Sequence, residues 1–397
     1  MDAHSSTLPR SRPAGRPVVL QVLPALGSGG AERGCVDVAV ALAKAGGTAL
    51  VASAGGPLER ELTRAGVEHI ALPLDSKNPF ALRANIRRLV KLIDGRGVDI
   101  VHARSRAPAW SAYAAARRTG RCFLTTFHGT YNERTYVKHL YNAVMAKGDL
   151  VIAISRHIAD LVVRRYHIDP SRVRLIPRGI DFEMFDPARV TPSRVVQLAR
   201  TWRLPDGMQV VMLPGRLTRW KGQLVLVEAL ARLGRKDIRC LLIGSDQSRH
   251  AYRRAIEARV AALGVEGVVQ LVDHCNDMPA AYMLSDVVVS ASTDPEAFGR
   301  VMVEAQAMGR PVIATDHGGA RETVLAGPTG RLVPPGDPAA LAEALAETLA
   351  LAGRVREQLA PLAMTHVRAH FSKEAMCAST LAVYDELYAR LTGHVAA

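Results

Sequence analysis

Aromatic residues are scarce, at 5% of the 397 residues. With no aromatic ladder, no zinc-finger spacing and no RNA-recognition motif, the usual frames for binding nucleic acid are missing. Cysteine is sparse as well. Cys35, Cys122, Cys240, Cys275 and Cys377 are odd in number and scattered, and no CxxC pair occurs. That pattern argues against a cysteine zinc site or a dithiol redox motif. The five read as small buried hydrophobes of a reducing compartment. No apolar run approaches the ~18 residues that a membrane span requires. The apolar stretch 18–26 is short and runs into a glycine-rich turn, so it reads as a core strand rather than a signal peptide. There is no Asp-x-Asp pair, and no metal site stands out.

What is present is an ordinary globular composition, with 48% apolar and 22% charged residues. The length suggests two domains with cores large enough to need no disulfides. The net charge of +14 is unevenly spread. Residues 1–185 hold 27 Lys+Arg against 15 Asp+Glu, a balance of +12, and the remaining 24 and 22 give residues 186–397 a balance of +2. Such asymmetry points to an anionic partner for the first half: nucleic acid, membrane or substrate.

Short apolar runs alternate with helical stretches in both halves, which predicts parallel α/β sheets. In the first half the strand-like runs are 18–23, 49–52, 69–73, 99–102, 123–127 and 150–154. In the second they are 210–213, 240–243, 268–271, 287–290 and 311–314. Helices are expected over 31–45, 222–233, 251–263, 299–308 and, at the end, 373–391. Residues 182–207, with Pro187, Pro192 and Pro205, break the pattern and are placed at the interdomain connection. The reading is therefore an α/β protein of two doubly wound, Rossmann-like parallel-sheet domains facing across a cleft. Residues 1–16 form a disordered tail, 17–185 an N-terminal domain and 186–371 a C-terminal domain. Residues 372–391 form a helix packing back on the N-terminal domain. Ligands of such sheets bind at the carboxyl ends of the strands.

Three segments at strand ends carry chemistry. Leu26-Gly-Ser-Gly-Gly-Ala-Glu-Arg33 joins a strand to a helix, where glycines allow close backbone approach and the helix start can hold an anion. The dinucleotide fingerprint fails, because Glu32 stands where its third glycine belongs. Pro214-Gly-Arg-Leu-Thr-Arg-Trp-Lys-Gly222 occupies the matching place in the second half. Its Arg216 and Lys221 suit a diphosphate, one through paired hydrogen bonds and the other as a point charge. The third, Asp294-Pro-Glu-Ala-Phe-Gly-Arg-Val-Met-Val-Glu-Ala-Gln-Ala-Met308, sets two carboxylates eight residues apart. With a helix starting near Gly299, Glu296 falls in the preceding loop and Glu304 in the second turn. The N–H groups around residues 299–301 could hold phosphate, and a carboxylate suits the vicinal hydroxyls of a ribose.

Together with Gly309-Arg-Pro-Val-Ile-Ala-Thr-Asp-His-Gly-Gly-Ala-Arg-Glu322, these segments resemble the retaining GT-B glycosyltransferases of family four. The resemblance extends through Gly29-Gly30-Ala31-Glu32, Phe127-His128-Gly129, Ala153-Ile154-Ser155 and Ile176-Pro-Arg-Gly-Ile-Asp181, and covers about residues 17–391. It implies a metal-independent, cofactor-free hexosyltransferase that uses a UDP- or GDP-sugar. Glu304 would bind the donor's ribose. Glu296 would contact the transferred sugar, with backbone near Phe298, Gly299, Arg300 and Val301. Arg216 and Lys221 would neutralise the diphosphate, and Gly29 and Gly30 would bring backbone close to phosphates or acceptor. His128 would stand at the reaction centre, and His274 on the donor's base side. Two positions depart from the family pattern: Arg178, where Asn is frequent, and Asp273, where Gly is usual.

Arg83, Arg87, Arg88 and Lys91 recur at helical spacing beside Leu82, Ile86, Leu89, Val90 and Leu92. With Arg104 and Arg106, they make a basic face that could meet an anionic inner-membrane surface or a phosphorylated glycolipid. The expectation is a cytoplasmic, peripheral enzyme acting on a glycan or glycolipid acceptor of lipopolysaccharide or envelope polysaccharide synthesis, with no nucleic-acid partner. The competing readings are a nucleotide-sugar epimerase on the same plan and a basic nucleic-acid-binding protein.

Overall fold

The computed structural model describes residues 16–27, 29–76, 78–131, 135–247, 250–327, 329–351 and 353–393. The expected tail over 1–16 lies outside them except for Arg16, whose guanidinium reaches Asp385 at 3.3 Å. The first sheet has seven parallel strands: β1 (Val18–Val22), β2 (Thr48–Ser53), β3 (Glu68–Ala71), β4 (Ile100–Ala103), β5 (Cys122–Phe127), β6 (Leu150–Ala153) and β7 (Val173–Leu175). Their order is β3-β2-β1-β4-β5-β6-β7. The helices that accompany them are α1 (Gly30–Lys44), α2 (Glu59–Arg64), α3 (Pro79–Arg96), α4 (Arg106–Thr119), α5 (Tyr136–Asn142) and α6 (Arg156–Tyr166). After them comes α7 (Pro192–Thr201).

The second sheet comprises β8 (Gln209–Pro214), β9 (Ile238–Ile243), β10 (Val269–Val272), β11 (Val287–Ser290), β12 (Val312–Thr315) and β13 (Gly330–Val333), ordered β10-β9-β8-β11-β12-β13. Its helices are α8 (Gln223–Leu233), α9 (His250–Ala262), α10 (Met278–Leu284), α11 (Arg300–Ala307) and α12 (Ala320–Thr323). They continue as α13 (Pro338–Ala350), α14 (Gly353–His370) and α15 (Lys373–Thr392).

Two compact units result. One holds Met1–Thr126, Glu133–Val151 and Cys377–Ala397, and the other Phe127–Asn132 and Ile152–Met376. The sequence explains the central strands directly. Every residue of β1 is buried, and β8 and β11 are nearly so. Near-continuous Val/Leu runs are what a parallel strand covered by helices on both faces requires. In the second unit Val211, Leu213 and Val289 meet Leu226 and Leu230 of α8, Ile256 of α9 and Leu345 of α13 in one core.

Two edge strands escape the sequence reading. Val173-Arg-Leu175 and Gly330-Arg-Leu-Val333 each carry an arginine in a run of three or four residues, so neither shows the unbroken apolar pattern. Within the proline-rich stretch 182–207, Pro192 does not interrupt structure. It opens α7, where its fixed φ suits the first helical position. Among the described residues no helix is long and apolar enough to cross a membrane. None of the five cysteines forms a disulfide, three of them are buried, and burial pushes the Cys35 thiol up to about 11.

Candidate active site

In the second sheet the strand order reverses between β8 and β11, and crevices at such reversals are where ligands of doubly wound sheets bind. The segments that follow those two strands are the Arg216–Lys221 loop and the acidic stretch of Glu296. They are stitched together. Thr293 N donates to Trp220 O at 2.7 Å, closing the short turn Arg219–Lys221 onto the loop after β11. Gly222 ends that turn at φ 72°, and a methyl group there would overlap the Ala291 carbonyl oxygen. Only glycine satisfies both the left-handed backbone and the close approach.

That stitching brings Lys221 Nζ onto Glu296 Oε1 in an ion pair whose partners are both largely buried. Ser292 Oγ donates to the same carboxylate oxygen at 2.7 Å. Gly319 N donates to Glu296 O at 2.7 Å, so the backbone of the acid is fixed as well as its side chain. Glu296 is 9% exposed and Glu304 8%. Two charges so withdrawn from water require partners. Glu304 has them in Arg300, through its Nε, and in Tyr282, whose hydroxyl donates at 2.8 Å. Burial, reinforced by the neighbouring Glu304 charge, pushes the Tyr282 hydroxyl well above its ordinary range. That phenol therefore remains a donor. Gly299, at φ 87°, introduces α11, and no side chain caps that helix start.

His128 follows β5. Its Nδ1 lies 2.8 Å from Nη2 of Arg178. A guanidinium can only donate, so Nδ1 accepts and the neutral ring carries its proton on Nε2. The departure from the family pattern at Arg178 thus has a structural role: it selects the tautomer of His128. His128, Arg216, Lys221 and Glu296 line one cavity of 610 Å³, with Trp220, Gly129, Thr130 and Asp294 among its other walls. All belong to the second unit.

A second group of contacts holds the acidic loop. Ser155 caps α6 and donates its hydroxyl to Ala297 O at 2.6 Å. Glu322 accepts from the N–H groups of Arg156 and His157, both at 2.7 Å, a carboxylate on a helix N-terminus.

The remaining expected residues fall elsewhere. Glu304, Gly299, Arg300 and Val301 lie on or beside α11, outside the cavity wall. The Phe298 ring is buried edge-on against Phe371, at 5.5 Å between centroids, so only its backbone could meet a ligand. His274 is exposed and bonded to Asn276 Oδ1 at 2.7 Å, away from the cavity wall, and its neighbour Asp273 is paired with Arg253. Gly29 and Gly30 open α1 in the first unit, and Gly29 has extended backbone at φ −74° that does not require glycine. Arg83, Arg87, Arg88 and Lys91 are exposed as expected. Arg104 and Arg106 do not join that face. Arg104 is buried with Nε on Gln21 Oε1 at 2.6 Å, and Arg106 is half-buried on Asn142 at 2.9 Å. Sequence reasoning missed Trp220, Ser292 and Tyr282. Trp220 stood inside a motif already singled out, whereas Tyr282 reaches Glu304 only through the fold. Among the described residues no cluster of three metal-ligating side chains occurs.

Comparison with known proteins gives consistent matches. Residues 28–184 match the family described as Glycosyltransferase Family 4, and residues 208–350 that described as Glycosyl transferases group 1. A glycosyltransferase of Rickettsia africae ESF-5 is 39% identical, with a TM-score of 0.86, over 94% of this chain and 98% of that one. Anabaena Alr3699/HepE, solved in complex with UDP and glucose, shares the fold at a TM-score of 0.82 and 22% identity, over 93% of this chain and 100% of that one. A D-inositol 3-phosphate glycosyltransferase of Salinispora tropica is 35% identical over 257 residues, which are 62% of this chain and 52% of that protein. The chain thus spans about half the length of the curated relatives it matches.

Proposed function

The chain belongs to the group 1 glycosyltransferases of family 4, and from that premise we propose that it transfers a sugar from a nucleoside-diphosphate sugar to an acceptor hydroxyl, with retention of configuration and without a metal. The observation that carries this is the convergence of Arg216, Lys221, Glu296 and His128 on one cavity at the reversal of the second sheet.

The chemistry follows from the charges. The bond from the sugar's anomeric carbon to the diphosphate oxygen breaks, leaving negative charge on phosphate and positive charge on the ring. Arg216 and Lys221 stabilise the first, as preorganised cations do best where charge develops. The uncapped start of α11 adds N–H groups of the same polarity. Glu304 receives the ribose hydroxyls and Glu296 the hydroxyls of the sugar. His128 donates through Nε2 to an oxygen of the sugar or its leaving group. The acceptor oxygen bonds to the anomeric carbon on the face the phosphate leaves, and its proton passes to a departing phosphate oxygen. A double displacement would need a nucleophilic carboxylate below the ring, and the contacts of Glu296 Oε1 with Lys221 and Ser292 lower its nucleophilicity.

The acceptor is a phosphorylated hydroxyl compound or glycolipid of the cell envelope. Two things support an anionic acceptor: the first half's excess of +12, and the curated relatives whose names specify an inositol phosphate. The epimerase and nucleic-acid readings gain no support from these relatives.

Thermal stabilisation by UDP and by GDP, each in the presence of EDTA, tests the donor site. A nucleotide at 100 times its dissociation constant adds about 2.7 kcal/mol. Response to one of them identifies the donor class. Response to neither, in folded protein, removes the diphosphate reading of Arg216 and Lys221. An inverted product anomer by NMR would exclude retention.

A further inference from the structure

The basic helix α3 has no free apolar stripe. Its Leu89 and Ile93 are buried, and α4 packs along it, with Ser111 Oγ donating to Leu82 O at 3.1 Å. What α3 leaves outside is mostly cationic, and at its start apolar: Phe80 is 85% exposed. The residue of α4 next to Ser111, Trp110, donates its indole N–H to Tyr141 O at 3.1 Å, at the end of α5. From α5, Tyr136 is 75%, Val137 74% and Leu140 48% exposed. Consecutive residues of one helix therefore hold α5 on one side and the first turn of α3 on the other. Four large exposed apolar side chains thus lie on the two helices that Trp110 and Ser111 hold. Both helices follow strands of the first sheet, α3 after β3 and α5 after β5, so both start on the side of its carboxyl edge.

Charge on this face is predominantly positive. Of the exposed charges, five Lys or Arg lie on α3, two (Arg117 and Arg118) on α4 and one, Lys138, on α5, against the acid Asp94. An occupant must accept both apolar depth and many cations. A nucleic acid supplies phosphates and bases that stack on Phe80 or Tyr136, but no apolar phase for Val137 and Leu140. An anionic bilayer supplies both, headgroups for the cations and acyl chains for the rings.

We propose that this face seats the protein on an anionic lipid bilayer. Phe80, Tyr136, Val137 and Leu140 enter the interface, and Arg83, Arg87, Lys91 and Lys138 lie among the headgroups. The proposal goes beyond the transfer reaction, and its test involves neither donor nor acceptor, so its failure leaves the donor site untouched. The full chain is sedimented with phosphatidylcholine vesicles containing about 30% phosphatidylglycerol, and with phosphatidylcholine alone, at about 0.1 M salt. Binding is expected only to the anionic vesicles. Phe80→Ser with Val137→Ser, and separately Arg83→Glu with Arg87→Glu, should each lower the partition coefficient about tenfold or more. Because these side chains are exposed, melting temperatures should stay within a degree or so of the parent. Arg232→Glu with Lys236→Glu, exposed cations elsewhere, is the charge-matched control and should bind as the parent does. Failure to bind anionic vesicles overturns the proposal, as does equal loss in the control or indifference to the apolar substitutions. A vesicle-free dimer that Phe80→Ser with Val137→Ser dissolves would assign the face to a second copy instead and overturn it too.

Discussion

Arg216 and Lys221 both serve the diphosphate in this reading, yet their settings differ. Arg216 is exposed, while Lys221 is largely buried against Glu296. Arg216→Ala should therefore lower kcat/KM by roughly 10²–10³ and leave stability within about 0.5 kcal/mol. Lys221→Ala should cost comparable rate and also stability, because it strands a buried carboxylate. Chemical denaturation of the two variants distinguishes these outcomes, and adding Glu296→Gln to Lys221→Ala should restore part of the lost stability. Equal stability of the two single variants would contradict the buried pair. His128 and Arg178 make a second residue-scale case. Arg178→Leu removes the donor that holds the ring's proton on Nε2, so kcat should fall about tenfold while nucleotide affinity stays unchanged. Steady-state kinetics beside nucleotide titration separates the two. Arg178→Lys, which still donates, should recover part of the rate.

At the scale of elements, α10 shows how one carboxylate serves two helices. Asp277 caps α10 through Ala280 N at 3.1 Å and holds Arg194 of α7 at 2.8 and 2.6 Å. The hydrogen bonds from Arg194 are the main reason its carboxyl titrates below the ordinary value of 3.8. The folded state thus releases this proton at lower pH than the unfolded chain does. The stability it brings is present above pH ~4 and is lost as pH falls through the folded value. Asp277→Asn should lower the melting temperature at neutral pH, and the gap to the parent should narrow in melts run below pH 4. A gap that widens in acid would reverse the assignment. Much of this was hidden from sequence reading, since a proline-rich stretch gave no sign that α7 would find α10. The central strands were legible for the opposite reason: burial on both faces leaves a continuous apolar signature, whereas the edge strands β7 and β13 carry arginine and lose it.

For the whole molecule, the cavity residues all lie in the second unit although His128 comes from the sequence's first half. Saturating nucleotide should slow amide hydrogen exchange over residues 213–222, 291–308 and 127–130, read by mass spectrometry. Protection absent from the first two segments would remove the proposed donor site. Protection around Gly29 and Gly30 would show that the first unit takes part in donor binding. The excess positive charge is likewise a property of one part of the chain. It is expressed at the surface by α3, while Arg104 turns inward.

The sequence alone determined the α/β architecture of two parallel sheets, the family, and the segments bearing Arg216, Lys221, Glu296 and Glu304. Each of these is a local pattern: apolar runs, glycines at strand ends, a fixed spacing of two acids. Tertiary structure decided which groups meet. It paired Lys221 with Glu296, gave Glu304 its Tyr282, set Arg178 on His128 and buried Arg104. These are contacts between residues far apart in the chain, fixed by strand order and by backbone approaches such as Gly222 on Ala291. A one-dimensional pattern records which residues are available, and only packing determines which charges are left without water and must find each other.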